Sequence, residues 1–479
     1  MRVQKLVNSA MKPGAVLAKL KKTWECVHVL IFEEISMISG GVYNMVDFRS
    51  MCGRKDAWDV DESNYKKDHC HFGRIPIVIH LGDFLQLTPT AQIGLIQDVN
   101  EKDEEGNYKL PEPPTLEVQH AIRVFGKIPD VVELKGTKRF KQGDPLIDFL
   151  ACMRVGKRIP AATWTAFEKT HAADNHDRLD ERHALPKFAQ GCGLSMYWDS
   201  ISRWISRRAL RDAKGYNVPL VFLQAVDECN TIDVDAAKRL LNVPNPHNTG
   251  DIHGVLPVHV GMRVRLTKKI HERIGLVSET KATVVGFIFD VEDQERYDST
   301  RGGQLFRPRR LPAGIWLEVD DFKNSPISQQ LVDRGVHAGR APGLYCLSPT
   351  EVEFTWRSSQ VHNVRRIGYP LTHADYMSST ASQGQTIRKG VTIDCARIEP
   401  KGRQGMKDAD WWLHLYVMFS RATCMADMLL LRPPPRKLLE GGPPPAVKKA
   451  LEKFEERQTA TVQKALELAA QYLCDVPPS

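Results

Sequence analysis

Two apolar runs in the first quarter of the chain end in polar groups in the same way. Val27-His28-Val29-Leu30-Ile31-Phe32 runs into Glu33-Glu34-Ile35-Ser36-Met37, and Ile75-Pro76-Ile77-Val78-Ile79-His80-Leu81 runs into Gly82-Asp83-Phe84-Leu85-Gln86-Leu87. Short β-branched runs of this kind predict strands, here neighbours in a parallel sheet. Open α/β sheets hold ligands at the carboxyl ends of their strands. A helical pattern over 11–22 precedes the first strand. A short strand at 131–134, a helix at 144–155, a strand at 219–223 and a helix at 230–241 follow. Residues 54–72, 101–106 and 172–190 are charged or turn-rich and read as loops.

The pattern changes at 253–356. Short β-rich runs at 255–266, 282–287, 315–319 and 352–356, with a polar loop at 292–303, predict a small barrel-like insert. The α/β pattern then resumes, with strands at 390–394, 415–423 and 428–431, so one domain is interrupted by another. Pro433-Pro434-Pro435 and the breakers at 441–445 lead into a long helical pattern at 446–473, expected to pack on the chain's own surface.

Composition adds bounds. The 479 residues are 42% hydrophobic and 26% charged, as in an ordinary globular protein of several domains. A net charge of +8 permits a nucleic-acid partner without requiring one. Neither a signal-peptide pattern nor a membrane-length apolar run is present, so no membrane partner is expected. The ten cysteines have no CxxC spacing and read as reduced thiols. His69-Cys70-His71 reads as a loop without metal.

Four segments carry chemistry. A strand ending in two carboxylates can present a magnesium ligand and a water-activating base. Alone, Glu33-Glu34 reads as a solvated turn. Gln86 can sense a terminal phosphate or cap a helix. Ser382-Gln383-Gly384-Gln385-Thr386 offers amides, a hydroxyl and a backbone that a ligand can approach closely. Tyr416-Val417-Met418-Phe419-Ser420-Arg421-Ala422-Thr423 reads as a strand delivering an arginine to a cleft, where it can stabilise charge on a transferring phosphoryl group.

Together and in this order, EEISM, GDFLQL, SQGQT and YVMFSRAT resemble the PIF family of DNA helicases, related to RecD within superfamily one. The resemblance runs from about Leu30 to Leu431. It includes the DPLIDFLACMRVGK helix at 144–157 and LVSETKATVV at 276–285, which is similar to a hairpin of that family's small barrel.

The resemblance implies an α/β fold: two RecA-like P-loop-type lobes, the first incomplete, with a small β-barrel insert in the second lobe and a C-terminal helix. The first lobe would span 1–130, the second 131–252 and 357–440, the insert 253–356, and a Pro-rich linker and helix 441–479. ATP would bind between the lobes with Mg2+, and single-stranded DNA or DNA junctions would run across a monomer. Repair, recombination and telomere maintenance are the family's processes, and nucleus or mitochondrion its eukaryotic location, cytoplasm otherwise. Glu33 would hold Mg2+ and Glu34 would be the base. Gln86 would sense the γ-phosphate, and Arg421 would be the arginine finger. Lys141, with Arg139 as rival, and Gly384 and Gln385 would line the nucleotide. Thr380 and Gln383 would face DNA.

The sequence departs from the family in four places. No GxxxxGK[ST] loop occurs in the 479 residues. The Gly-Lys pairs, Gly126-Lys127 and Gly156-Lys157, lack the following Ser or Thr and lie after the acidic strand. The family's Asp-Glu is Glu33-Glu34, which shifts a ligand subject to strict octahedral geometry. Its His-Lys is Thr380-Ala381, and its motif-four Arg is Lys141. Without the loop's strand and helix, the first sheet should be short and partly uncovered. The chain then reads as a truncated or degenerate PIF-type helicase. The alternative is a non-catalytic DNA-binding or scaffold protein derived from a helicase or a transposon-borne helicase.

Overall fold

A computed structural model describes residues 14–54, 71–89, 92–97, 114–134, 136–172, 185–229, 232–320, 343–357, 360–397 and 406–474. The first unit contains α1 (Ala15–Trp24), β1 (Val29–Phe32), α2 (Gly40–Gly53), β2 (Ile77–His80) and α3 (Leu116–Gly126). Ser39 caps α2 by accepting from the Val42 amide at 3.3 Å, and Thr115 caps α3 through the Val118 amide at 3.4 Å. The two strands are parallel neighbours, with Val29 opposite Ile77 and Phe32 opposite His80.

The small core lies on one face of these strands. Phe32, Tyr43, Phe72, Val124 and Phe125 fill it. On the other face, Val29, Ile31, Ile77 and Ile79 are 46, 55, 50 and 38% exposed. Successive strand residues alternate sides, so this is one apolar face without cover among the described residues. The expectation of a short, partly uncovered sheet holds.

The second unit contains α4 (Pro145–Val155), β3 (Cys192–Ser195), α5 (Trp198–Gly215), β4 (Tyr376–Ser378), β5 (Val391–Asp394), α6 (Asp408–Phe419), β6 (Met428–Leu431) and α7 (Pro445–Cys474). The four strands form a parallel sheet in the order β4-β3-β5-β6. The β5 strand is buried along its whole length, as expected where helices cover both faces. Asp144 caps α4 through the Leu146 amide, and Gly156 ends it at φ 66°. Leu85 and Leu87, from the loop after β2, are buried in the same core as Leu146, Phe149, Leu415 and Phe419. The first unit is thereby anchored in the second.

The β-rich region forms an antiparallel five-stranded sheet, ordered Leu344–Leu347, Gly314–Val319, Lys281–Ile288, Arg263–Leu266 and Leu371–His373. It packs on α5, whose Ile201, Ile205 and Ala209 share its core. The expected barrel is not closed among the described residues. The two outer strands, of four and three residues, do not pair with each other.

Three further expectations need correction. Residues 415–423 are not a strand: they continue α6 and its C-terminal turn. Trp411, Trp412, Leu413 and Leu415 to Phe419 are all buried, so this helix is apolar all round and shows no stripe. Residues 292–303 are not only a loop, because Val291–Ser299 is a helix capped by Asp290. Residues 131–134 join no sheet. Val132 and Leu134 are exposed, and the Val131 amide donates to Thr461 Oγ1 of α7 at 3.0 Å. Residues 55–70, 98–113 and 173–184, with most of three expected loops, lie outside the described residues. No described helix is long and apolar enough to cross a membrane.

Candidate functional site

The carboxyl ends of β1 and β2 are stitched together. The Leu81 amide donates to the Phe32 carbonyl at 2.7 Å, and the Ile35 amide donates to the Leu81 carbonyl at 2.9 Å. Glu34 takes the left-handed conformation (φ 51°, ψ 48°) that turns the chain into the 3-10 turn Ile35–Met37. Gly82 is needed for this approach: a Cβ there would lie 2.8 Å from the Ile35 nitrogen. Glu33 is exposed and Glu34 is half-buried. Asp83 accepts from the Leu85 amide at 3.0 Å and pairs with Arg154 at 3.4 Å. Gln86 is half-buried, and its Oε1 is buried with no hydrogen-bond partner among the described residues.

The loop after β4 meets this edge from the other side. Gln383 Nε2 donates to Glu34 Oε2 at 3.0 Å and lies 3.4 Å from Ser36 Oγ. Gly384 (φ 75°) follows, and a Cβ there would touch Glu34 Oε1 at 3.4 Å. Gln385 turns back, donating to the Ala381 carbonyl at 2.9 Å. Behind the loop, the buried Arg421 donates to the carbonyls of Val417, Ser382 and Gln385 and to Ser420 Oγ. All are neutral acceptors. Arg139 donates to Thr386 Oγ1 at 3.1 Å and to the Ser420 carbonyl at 2.9 Å.

Electrostatics follow from this packing. Burial and the neighbouring Arg139 lower the Arg421 guanidinium to about 10, against the pull of Glu34, Tyr416 and Asp83. Burial also lowers Arg139, opposed by Tyr416 and Glu34. Burial, with Asp83 adding, pushes the Tyr416 phenol up to about 12. Burial disfavours charge on Arg154, yet Tyr416, Asp83 and Glu133 outweigh it and raise the group. A cleft edged by Glu33, Glu34 and Asp83 is thus backed by three arginines, one of them buried without a carboxylate among its hydrogen-bond acceptors.

The structure brings together Glu34, Gln383, Gly384, Arg139 and Arg421, and sets Gln86 on the loop that carries Asp83. Gln383, expected on the DNA side, has its amide on Glu34 instead. Arg139 reaches the cleft, whereas the Lys141 side chain is exposed and only its backbone amide is tied in, to the Thr423 carbonyl. Thr380 is exposed. Gly126 and Gly156 close the ends of α3 and α4, so neither Gly-Lys pair stands between a strand and a helix. The sequence reading missed Ser36, Arg154 and the Tyr416 hydroxyl, which Arg154 contacts at 3.3 Å. A cation at the end of the mostly apolar α4 was the available signal for Arg154.

No family model matches the chain. It is 23% identical over 431 residues to the ATP-dependent DNA helicase PIF1 of Emericella nidulans, covering 86% of this chain and 48% of that protein. The chain therefore spans about half the length of the curated relative it matches. Its fold matches Pif1 helicase from Candida albicans with a TM-score of 0.53 at 20% identity, covering 92% of this chain and 80% of the other. It matches Bacteroides Pif1, solved with ADP-AlF3 and single-stranded DNA, with a TM-score of 0.50 at 13% identity, covering 94 and 79%. In sequence this chain is similar to a PIF1 helicase, and its fold is similar to that of the solved Pif1 helicases.

Proposed function

We propose that the chain is a helicase-type motor protein whose cleft couples magnesium-ATP to movement on single-stranded DNA. The juxtaposition of Gln383 and Gly384 with Glu34 carries this reading. Residues 349 positions apart meet at the carboxyl ends of two parallel strand systems, where open α/β sheets bind ligands. The exposed Glu33, the orphaned Gln86 Oε1 and the room that Gly384 leaves beside Glu34 fit the terminal phosphate of a nucleotide and its metal. Bound magnesium-ATP would supply the phosphoanhydride whose hydrolysis drives movement.

The chain's own residues then divide the work. Glu33 would ligate the metal, and Glu34 would take a proton from the attacking water. Gln86 would donate to the terminal phosphate. Arg421, already desolvated, would offset charge building on it, with Arg139 beside it in the role first given to Lys141. Gln383 leaves Glu34 when the base is engaged, so the loop that carries it reports nucleotide state to the DNA-facing side, where Thr380 is exposed. The domain limits given above and a monomeric state belong to this proposal. So does a nuclear or mitochondrial location.

The test is single-stranded DNA affinity, measured by fluorescence anisotropy with and without magnesium and a non-hydrolysable ATP analogue. A nucleotide-dependent shift that Gln383→Ala and Arg421→Ala abolish supports the motor reading. Absence of single-stranded DNA binding overturns it. A second reading, a nucleotide-indifferent DNA-binding protein, is favoured by the positions of both Gly-Lys pairs at helix ends, away from any phosphate-binding turn. It predicts salt-dependent binding that the analogue leaves unchanged.

A further inference from the structure

Away from the cleft, three elements of the first unit converge on one buried carboxylate. Asp47 comes from the middle of α2, His71 from the turn before β2, and His120 from α3. Asp47 Oδ2 lies 3.4 Å from His71 Nδ1 and 3.3 Å from His120 Nε2. One ligand atom from each of the three residues lies within 4.8 Å of the other two. The second Asp47 oxygen accepts from the Phe72 amide at 2.5 Å, which fixes the carboxylate plane. Asp47 is 2% exposed, whereas each imidazole is 24% exposed. The carboxylate is thus buried and held by the Phe72 amide, with two partly exposed imidazoles beside it.

These spacings are informative. A charge-assisted hydrogen bond between imidazolium and carboxylate closes to about 2.7–2.9 Å. Both Asp47–histidine distances are longer. Ligands at about 2.0–2.1 Å from a tetrahedral zinc ion are separated by about 3.3–3.4 Å along the tetrahedron edge. The carboxylate therefore stands from each imidazole as two zinc ligands stand from one another. Two nitrogens and one oxygen favour a borderline ion of the zinc type over magnesium or calcium, which prefer all-oxygen sets. The Phe72 amide supplies the outer hydrogen bond that orients a ligating carboxylate.

The geometry points to a Zn2+ site formed by Asp47, His71 and His120, with its fourth position open to water. Its place in the fold gives it a structural purpose. It ties α2, α3 and the His71–Arg74 turn together where, among the described residues, the sheet has two strands and one bare face. That turn carries Phe72 and Gly73 in the left-handed region, at φ 52° and 58°, a conformation held only when its surroundings over-determine it. His69 and Cys70 lie outside the described residues.

The experiment uses the full chain, stripped with a chelator and titrated with ZnCl2, then with CoCl2 as a spectroscopic probe. We expect one equivalent of Zn2+ per chain and a Co2+ visible spectrum of four-coordinate intensity. We expect a rise in the thermal midpoint on adding Zn2+. Outer-shell changes at such sites cost 10–100-fold in affinity, so His120→Gln and His71→Gln, each removing a ligand, should each weaken zinc by about a hundredfold or more. His247→Gln, at an exposed histidine paired with Asp251, is the control and should bind as the parent does. Should a ligand variant fail to fold, the parent's zinc stoichiometry and cobalt spectrum still decide the question. The proposal is overturned if the parent binds less than one equivalent, if the cobalt spectrum is six-coordinate, or if a folded His71→Gln/His120→Gln variant binds zinc like the parent.

Discussion

The Gln383 side-chain amide donates to the Glu34 carboxylate at 3.0 Å across 349 residues of sequence. A carboxylate held by such a bond is oriented but restrained. Replacing Gln383 with alanine frees Glu34 without touching the strand that carries it. We expect Gln383→Ala to leave the thermal midpoint nearly unchanged and to remove the effect of an ATP analogue on DNA affinity. Glu34→Gln keeps a hydrogen-bond partner for Gln383 and loses the base. It should lower any DNA-stimulated phosphate release by about a hundredfold, read by a coupled phosphate assay, with DNA binding retained.

Arg421 has a structural role in its buried hydrogen bonds and a functional one in the proposal, and two substitutions separate them. Arg421→Ala removes four donors from buried neutral acceptors and leaves a cavity, a change that costs about 2 to 4 kcal/mol. Arg421→Lys keeps a charge but not the planar fork. It should be the more stable variant in urea denaturation, yet as defective in phosphate release as alanine, where loss of such a group costs about a thousandfold.

The choice between Arg139 and Lys141 is directly measurable. Arg139 is fixed to Thr386 and the Ser420 carbonyl, whereas the Lys141 side chain is exposed. Arg139→Ala should weaken binding of a fluorescent ATP analogue more than Lys141→Ala does. Equal losses would return the role to Lys141.

One half-buried and one buried histidine, His80 and His253, make the fold acid-sensitive. Burial lowers His80 to about 4; burial, with Arg265 and Arg366 adding, lowers His253 to about 3. In the unfolded chain both titrate near 6.5. Below that value the unfolded state binds more protons, so stability falls with pH. The stabilisation should be complete above about pH 6.5 and be lost as pH falls toward 4 and then 3. His80 stacks on Phe32 with centroids 5.0 Å apart and lies 3.1 Å from the Tyr43 hydroxyl. His80→Gln should therefore flatten the upper part of that fall, read as urea midpoints from pH 7 to 4.

The uncovered face of β1 and β2 should make the chain adhesive. Ile31→Thr with Ile79→Thr should reduce binding of a hydrophobic dye and concentration-dependent light scattering, with little loss of helix signal.

Some of this was legible in the sequence for physical reasons. Val29 to Phe32 and Ile77 to His80 are β-branched runs closed by turn residues, so strand, direction and polar terminus could all be read. Asp144, Pro145 and Gly156 bracket α4 at both ends. The buried α6 was not legible, because a helix apolar on every side has no period to distinguish it from a strand. The helix at Val291–Ser299 was hidden for the opposite reason, being polar almost throughout. Arg139 is held at the cleft by a contact to Thr386, 247 residues away, and no local pattern carries such a contact. Asp47 and His120 lie far from His71 in sequence and meet it only through packing.

The last helix has a mechanical consequence. Val447 and Leu451 of α7 sit in the core of the second unit. One turn later Phe454 stacks on Phe84, and Arg457 donates to the carbonyls of Gly126 and Ile128 in the first unit. Its 30 residues form a rod of about 45 Å clamped at two points to two bodies. In the motor reading proposed above, any opening between Glu34 and Gln383 would have to bend or twist this rod. Loosening either clamp would then change the stiffness of that opening without altering a single group in the cleft.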